Sequence, residues 1–347
     1  MVSGFSPEEL QHYSRQIVLK EFGLKGQIKL KSSRVLIAGL GGLGSQLSAQ
    51  LASMGVGHLR LVDKDIVEAS NLQRQHLYSV EVVGYPKVEA AAMRLGRMNP
   101  YIELEPIPTS INELTADRLL EDVNIVVDGM DRMSPRYALN RACIRKGIPY
   151  IYGAAITHVG SVTTIIPGKT ACLECFQGGI DDENVPTCAT VGVTPSIITI
   201  VASIQVNEVV KLLLGVEPVL AGRLLYCDLT DLSFEKVKLS RAEFCKVCGD
   251  DSAPVIPSID EIEEICGREG KRVFTITPRK PVTIYIDEAT RLAEAKDYRI
   301  LVRGKLGVTF TIGPVRGSIF TTGVGVIEGA GSREEALDIY RNVSGQD

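Results

Sequence analysis

Residues 35 to 45 read Val-Leu-Ile-Ala-Gly-Leu-Gly-Gly-Leu-Gly-Ser: a short apolar strand runs into a glycine-rich turn that opens a helix. An acid, Asp63, closes the next apolar run, 24 positions after Gly39. Gly39, Gly41 and Gly44, with Gly42 between them, let the backbone turn sharply, approach a ligand phosphate and pack helix on strand. The helix N-terminus then aims free N–H groups at the anion. This fragment predicts a nucleotide-binding α/β fold and leaves the choice of nucleotide to the residues that follow.

From Ser33 to about Pro167 strand-like runs alternate with amphipathic ones: Val35 to Ala38, Leu59 to Asp63, Ile102 to Ile107, Ile125 to Asp128 and Ile148 to Tyr152. That alternation implies a mostly parallel, Rossmann-like sheet with crossover helices. The first helix carries the stripe Leu47, Leu51, Met54 and ends near Gly55. A second should run from Ser134 to a cap at Gly147, and a long apolar one from Ser196 to Leu214. Leu224 to Leu239 alternates like a hairpin, and Asp250 to Ser258, with its two prolines, reads as a linker. The expectation is a nucleotide-binding domain over 1–249 and a small C-terminal α+β domain over 259–347. In the latter Val282, Ile284 and Ile286, then Leu306 to Ile312, then Val324 and Val326 alternate as strands, and Ser332 to Glu335 starts a final helix.

With 347 residues, 45% hydrophobic and 23% charged, the chain has ordinary globular composition. Its net charge of −4 gives no general attraction to nucleic acid or to anionic membranes. The N-terminus lacks the basic-then-apolar pattern of an export signal, and no membrane span is expected, so the sequence reads as cytoplasmic. Eight cysteines in such a setting read as metal ligands or catalysts before disulfides.

A glycine loop followed by Asp63 would by itself favour an NAD(P)-dependent oxidoreductase, the acid binding a ribose hydroxyl. The next residues argue for a triphosphate instead: Asp65, then Asn71-Leu72-Gln73-Arg74-Gln75, then Lys87 at the start of a helix from Lys87 to Met98. A lysine in a helix's first turn opposes the macrodipole unless an anion sits nearby.

These residues resemble the MoeB/ThiF family of adenylyltransferases, within the superfamily of ubiquitin-activating enzymes. The resemblance runs from about Tyr13 to Cys248. It is carried by Tyr13-Ser14-Arg15-Gln16, the Gly39 to Gly44 loop, Leu61 to Asp65, Asn71 to Gln75, Gly84-Tyr85-Pro86-Lys87, Met130-Asp131 and two Cys-x-x-Cys pairs. It implies ATP-dependent adenylation of the C-terminal Gly-Gly carboxylate of a small β-grasp ubiquitin-like or sulfur-carrier protein. Asp63 would then hold the ribose, with Asp65 and Gln75 nearby, Asn71, Arg74 and Lys87 the phosphates, and Asp131 the Mg²⁺. Arg15 would reach the partner's ATP site across a homodimer interface, so that Arg15, Arg74 and Lys87 serve catalysis. A carboxylate attacking the α-phosphate brings two anions together, which fixed cations and a metal must neutralise. One departure stands out: relatives commonly have Asp-Asn where this chain has Asp131-Arg132.

Cys172-Leu173-Glu174-Cys175 and Cys245-Lys246-Val247-Cys248 could jointly complete a tetrahedral Zn²⁺ shell. Their separation of 69 residues exceeds a compact zinc ribbon and leaves two reduced pairs or a redox site open, and the resemblance favours zinc. Cys188 sits among loop-forming residues, at the position where some relatives carry a cysteine that captures the activated carrier. Cys143 and Cys227 read as packing residues, and the scattered histidines have no ligand spacing. Cys266-Gly267-Arg268 invites comparison with a rhodanese loop. Such a loop follows a strand, however, and Ile259 to Ile265 reads as helix, so Cys266 is assigned no chemistry. The alternatives are the oxidoreductase, a tRNA-modifying dehydratase of the same superfamily and a non-catalytic scaffold. The C-terminal module is read as a docking site for a partner.

Overall fold

A computed structural model describes residues 4–182, 188–250, 261–266 and 271–346; the side chains of residues 188, 189, 265 and 266 are outside the description. The linker expected from Asp250 to Ser258 lies outside the described residues from 251 onward.

Three short helices, α1 (Pro7–His12), α2 (Ser14–Ile17) and α3 (Gly23–Lys31), precede the first strand. Eight strands then form one sheet: β1 (Arg34–Ala38), β2 (His58–Val62), β3 (Glu103–Ile107), β4 (Ile125–Asp128), β5 (Tyr150–Ile156), β6 (Val159–Ile165), β7 (Arg223–Asp228) and β8 (Ser233–Lys238). Their spatial order is β3-β2-β1-β4-β5-β6-β7-β8. The first five are parallel and the last three add antiparallel. Val35 to Ala38 are fully buried, as a parallel strand covered on both faces must be. Strand order reverses between β1 and β4, so a crevice opens outside the carboxyl ends of β1, β2 and β4.

The crossovers are α4 (Gly42–Met54), α5 (Lys87–Met98), α6 (Ala116–Leu119) and α7 (Met133–Lys146), followed by α8 (Leu173–Gln177), α9 (Cys188–Val191) and α10 (Pro195–Leu214). Gly55 (φ +80°) caps α4 and Gly147 (φ +69°) caps α7. On one face Leu47 and Leu51 of α4 share a core with Val88 of α5 and Val201 of α10. On the other, Leu139 and Cys143 of α7 pack with Leu173. Among the described residues α10 alone is long and apolar enough to cross a membrane, but it packs against α4, β5 and β6. It also buries Gln205, which donates to the Asp128 and Ile151 carbonyls, and Glu208, which accepts from Thr164 and the Leu220 amide.

The second unit is a six-stranded antiparallel sheet of β9 (Ile262–Cys266), β10 (Arg272–Ile276), β11 (Arg299–Arg303), β12 (Gly307–Ile312), β13 (Val315–Phe320) and β14 (Gly325–Glu328), in the order β11-β12-β13-β14-β10-β9. One face, with Phe274, Phe310, Ile319 and Ile327, packs under α11 (Ile286–Ala295) and α12 (Arg333–Ser344). Two expectations are corrected. Ile259 to Ile265 was expected to be helical; residues 262 to 266 are strand β9, paired with β10, and Glu263 and Glu264 find their cations at Arg132 and Arg272. Val282 to Ile286 was expected to be a strand; Ile286 instead opens α11, with Asp287 and Glu288 suited to its first turn.

The sheet's other face is polar and lies against the larger unit. The Glu89 carboxylate of α5 accepts from the Lys305 and Leu306 amides at 2.8 and 2.9 Å. Thr309 Oγ1 donates to the Gly84 carbonyl, Thr322 to that of Pro108, and Arg316 pairs with Glu68.

Candidate functional site

The crevice at the switch point is a cleft of about 1300 Å³, lined by the glycine loop, the ends of β2 to β4, strands β5 to β7, and the polar face of the C-terminal sheet. Single-ligand pockets run to roughly 300–1000 Å³, so this one has room for a nucleotide and a second chain end.

Close packing explains the loop's glycines. A Cβ on Gly44 would lie 1.8 Å from the Gly39 carbonyl oxygen, and one on Gly39, whose φ is +82°, would lie 2.9 Å from that of Gly129. A Cβ on Gly42 would press on Ile198. Gly41 is the N-cap of α4 and supplies no side-chain cap, so the first amides of the helix face the cleft.

Asp63 is fixed by two backbone amides, Leu40 N to Oδ2 and Asp65 N to Oδ1, each at 2.7 Å. Burial raises its carboxyl above the usual range, and the Lys87 ammonium opposes the rise. Lys87 is buried in the first turn of α5, where its Nζ donates to Asp65 Oδ2 at 2.8 Å. Burial works against its charge, but Asp63, Asp65 and Asp131 outweigh that, and its pKa lies above the ordinary value. The anion that a lysine at this helix position requires is therefore partly built in, as Asp65. Asn71 is buried, with Oδ1 accepting from the Glu68 amide, and Arg74 reaches the Ser70 carbonyl; both line the cleft. Gln75 lines it too, 3% exposed and with Oε1 unpartnered.

Asp131 is exposed into the cleft beside Arg132, whose guanidinium pairs with Glu263 (3.1 Å) and Asp182 (3.5 Å). Asp182 also accepts from the amides of Met133 and Ser134 and from the Ser134 hydroxyl, capping α7 from a distant loop. Behind Asp131 lies a network the sequence reading missed. Asp128 Oδ2 accepts from Arg136 Nε and from the Tyr150 hydroxyl, both at 2.8 Å, and Arg136 also holds the Met130 and Gly153 carbonyls. Its members lie 8 and 22 positions apart along the chain, a separation with no local sequence signal.

Outside the cleft, the four thiols of Cys172, Cys175, Cys245 and Cys248 lie within 4.8 Å of one another, with neighbouring Sγ atoms at 3.4 to 3.9 Å. A tetrahedral site with Zn–S bonds of 2.3 Å needs sulfurs about 3.8 Å apart, so the set fits zinc with no ligand position left open. Asn140 orients the first pair, its Oδ1 accepting from the Leu173 amide. Cys143 and Cys227 are buried packing residues, and His76 meets Gln46.

Arg15 is exposed on α2 and does not line the cleft of its own chain. Its neighbours are anchored: Tyr13 accepts from Asn99, and Gln16 donates to the Met54 carbonyl. Cys188 begins α9, its side chain outside the description.

A protein-family model described as the ThiF family matches residues 13–247. The chain is 39% identical over 264 residues to the SAMP-activating enzyme E1 of Haloferax volcanii, covering 76% of this chain and 97% of that protein. It is 40% identical over 246 residues to the molybdopterin-synthase adenylyltransferase of Escherichia coli K12, covering 70% and 98%. The crystal structure of E. coli MccB with ATP superposes with a TM-score of 0.59 at 27% identity, over 65% of this chain and 69% of that one.

Proposed function

The chain belongs to the ThiF family, and from that premise we propose that it is an ATP-dependent adenylyltransferase acting on the C-terminal Gly-Gly carboxylate of a small β-grasp ubiquitin-like or sulfur-carrier protein. The observation that carries this is Lys87, buried and charged at a helix N-terminus facing the glycine loop, in a cleft too large for one nucleotide. An NAD(P) oxidoreductase leaves Lys87, Arg74 and the four-cysteine cluster without a task.

In this reading Asp63 receives the ribose hydroxyls, and the α4 amides, Asn71, Arg74 and Lys87 hold the phosphates. The carrier's carboxylate oxygen bonds to the α-phosphorus as the bond from that phosphorus to pyrophosphate breaks. The nucleophile is already ionised, so no general base is needed. Lys87 shares its ammonium between Asp65 and the phosphate, which fixes it before the ligand arrives. Asp131 would hold Mg²⁺, which supplies further neutralisation of the leaving pyrophosphate. The cysteine cluster would hold structural Zn²⁺.

The same reading makes the enzyme a cytoplasmic homodimer in which Arg15 completes the partner's site, and makes Cys188 the acceptor of the activated carrier in a second step. Residues 1–249 form the adenylating domain and residues 259–347 an appended domain. The test is exchange of radiolabelled pyrophosphate into ATP with a candidate Gly-Gly carrier. Carrier-dependent exchange is expected; its absence, with reduction of nicotinamide cofactor instead, overturns the reading.

A further inference from the structure

Among the described residues, three buried side-chain atoms of the cleft lining have no partner: Gln75 Oε1, Gln177 Oε1 and Ser110 Oγ. Ser110 is 5% exposed and follows the carboxyl end of β3, the strand beside β2. Val62 pairs with Ile107, so Asp63 and Pro108 are neighbours across the two strands, and Ser110 is two residues further along. In a sheet of this order a nucleotide with its phosphates on the first helix and its ribose on the acid after β2 points its base toward that next strand.

The C-terminal sheet closes this side of the cleft. Lys64, directly after Asp63, donates to Thr275 Oγ1 of β10 at 2.8 Å, and Thr322 bonds the Pro108 carbonyl. Thr275 is buried, lines the same cleft as Ser110, and keeps its own hydroxyl proton to donate. The two relatives described above are covered over 97% and 98% of their length by 264 and 246 residues of alignment, so about a quarter of this chain lies beyond them.

We propose that the C-terminal module completes the nucleoside half of the adenylating site, with Ser110 and Thr275 contacting the adenine base. The inference rests on the adenylyltransferase reading. A hydroxyl both donates and accepts, which suits the adjacent donor and acceptor groups on the edge of adenine. The module is thereby part of the substrate site, rather than the partner-docking unit expected from the sequence.

The test is titration calorimetry of the full chain with MgATP and, separately, with magnesium tripolyphosphate, which has the phosphates and no base. Ser110→Ala is expected to weaken MgATP binding roughly 5- to 20-fold and Thr275→Val roughly 3- to 10-fold. Tripolyphosphate binding should stay within about twofold in both, which also shows that the variants fold. Variants that bind MgATP like the wild type, or that lose both ligands equally, overturn the proposal while leaving the adenylyltransferase reading standing. A wild type that binds neither ligand overturns both.

Discussion

Arg132 and Glu263 are 131 positions apart in the chain and meet at 3.1 Å, tying the residue after Asp131 to the first strand of the C-terminal sheet. Arg132 is the visible departure from the family's Asp-Asn pair, and its partner belongs to the module. Both side chains are partly exposed, at 28% and 46%, so the pair itself should contribute only about 0.5 kcal/mol. A double-mutant cycle of Arg132→Ala and Glu263→Ala, read by urea denaturation, should give that coupling. Arg132→Ala should cost more than Glu263→Ala because it also strips Asp182. Additivity within error would mean the two residues do not interact.

Asp182 makes a pH prediction. Burial raises its carboxyl, but Ser134, the two α7 amides and Arg132 outweigh burial and hold it below the ordinary 3.8. The stability it contributes is therefore present above pH 3.8 and lost as pH falls through the lower, folded-state value. Asp182→Asn should be about 1–2 kcal/mol less stable than wild type at pH 7, the gap narrowing below about pH 4. A constant gap from pH 7 to 3 would contradict this.

Elemental analysis should find one zinc per chain, and none after Cys172→Ser combined with Cys245→Ser. Removing the metal with a strong chelator should lower the thermal midpoint markedly, because binding to such a site is coupled to folding. An unchanged midpoint would point to two independent thiol pairs.

Arg15 and Lys87 can be placed in one composite site by mixing. If Arg15 serves the partner's cleft, Arg15→Ala and Lys87→Met homodimers are each nearly inactive. Co-refolded, they form heterodimers with one intact site, restoring about a quarter of wild-type pyrophosphate exchange. No restoration would place Arg15 in its own subunit's site or outside catalysis.

Cys188→Ala should abolish a covalent carrier adduct, seen as a mass increase sensitive to thiols, and leave pyrophosphate exchange within about twofold of wild type. An adduct that survives the substitution would assign capture elsewhere.

The parts that could be read from sequence were those specified within a few residues. The glycine loop, the five parallel strands, the stripe on α4 and the caps at Gly55 and Gly147 depend on local periodicity and backbone conformation. The parts that could not be read depend on distant partners. Ile262 and Ile265 have helical spacing, yet β9 is a strand because β10 pairs with it and Glu263 finds Arg132 across the cleft. Asp128, Arg136 and Tyr150 look unremarkable one at a time, and only the fold brings them together behind Asp131. Ser110 carried no motif; its significance comes from an unpartnered hydroxyl beside the end of β2.

Lys87 and Glu89 share the opening turn of α5: one supplies a buried cation to the cleft, the other grips the Lys305 and Leu306 amides. Truncating the protein at the linker would leave Glu89 without those two donors and the polar ends of β2 and β3 bare. An engineer seeking a minimal catalyst should therefore redesign that turn together with the cut, or expect a shortened enzyme whose grip on triphosphate drifts.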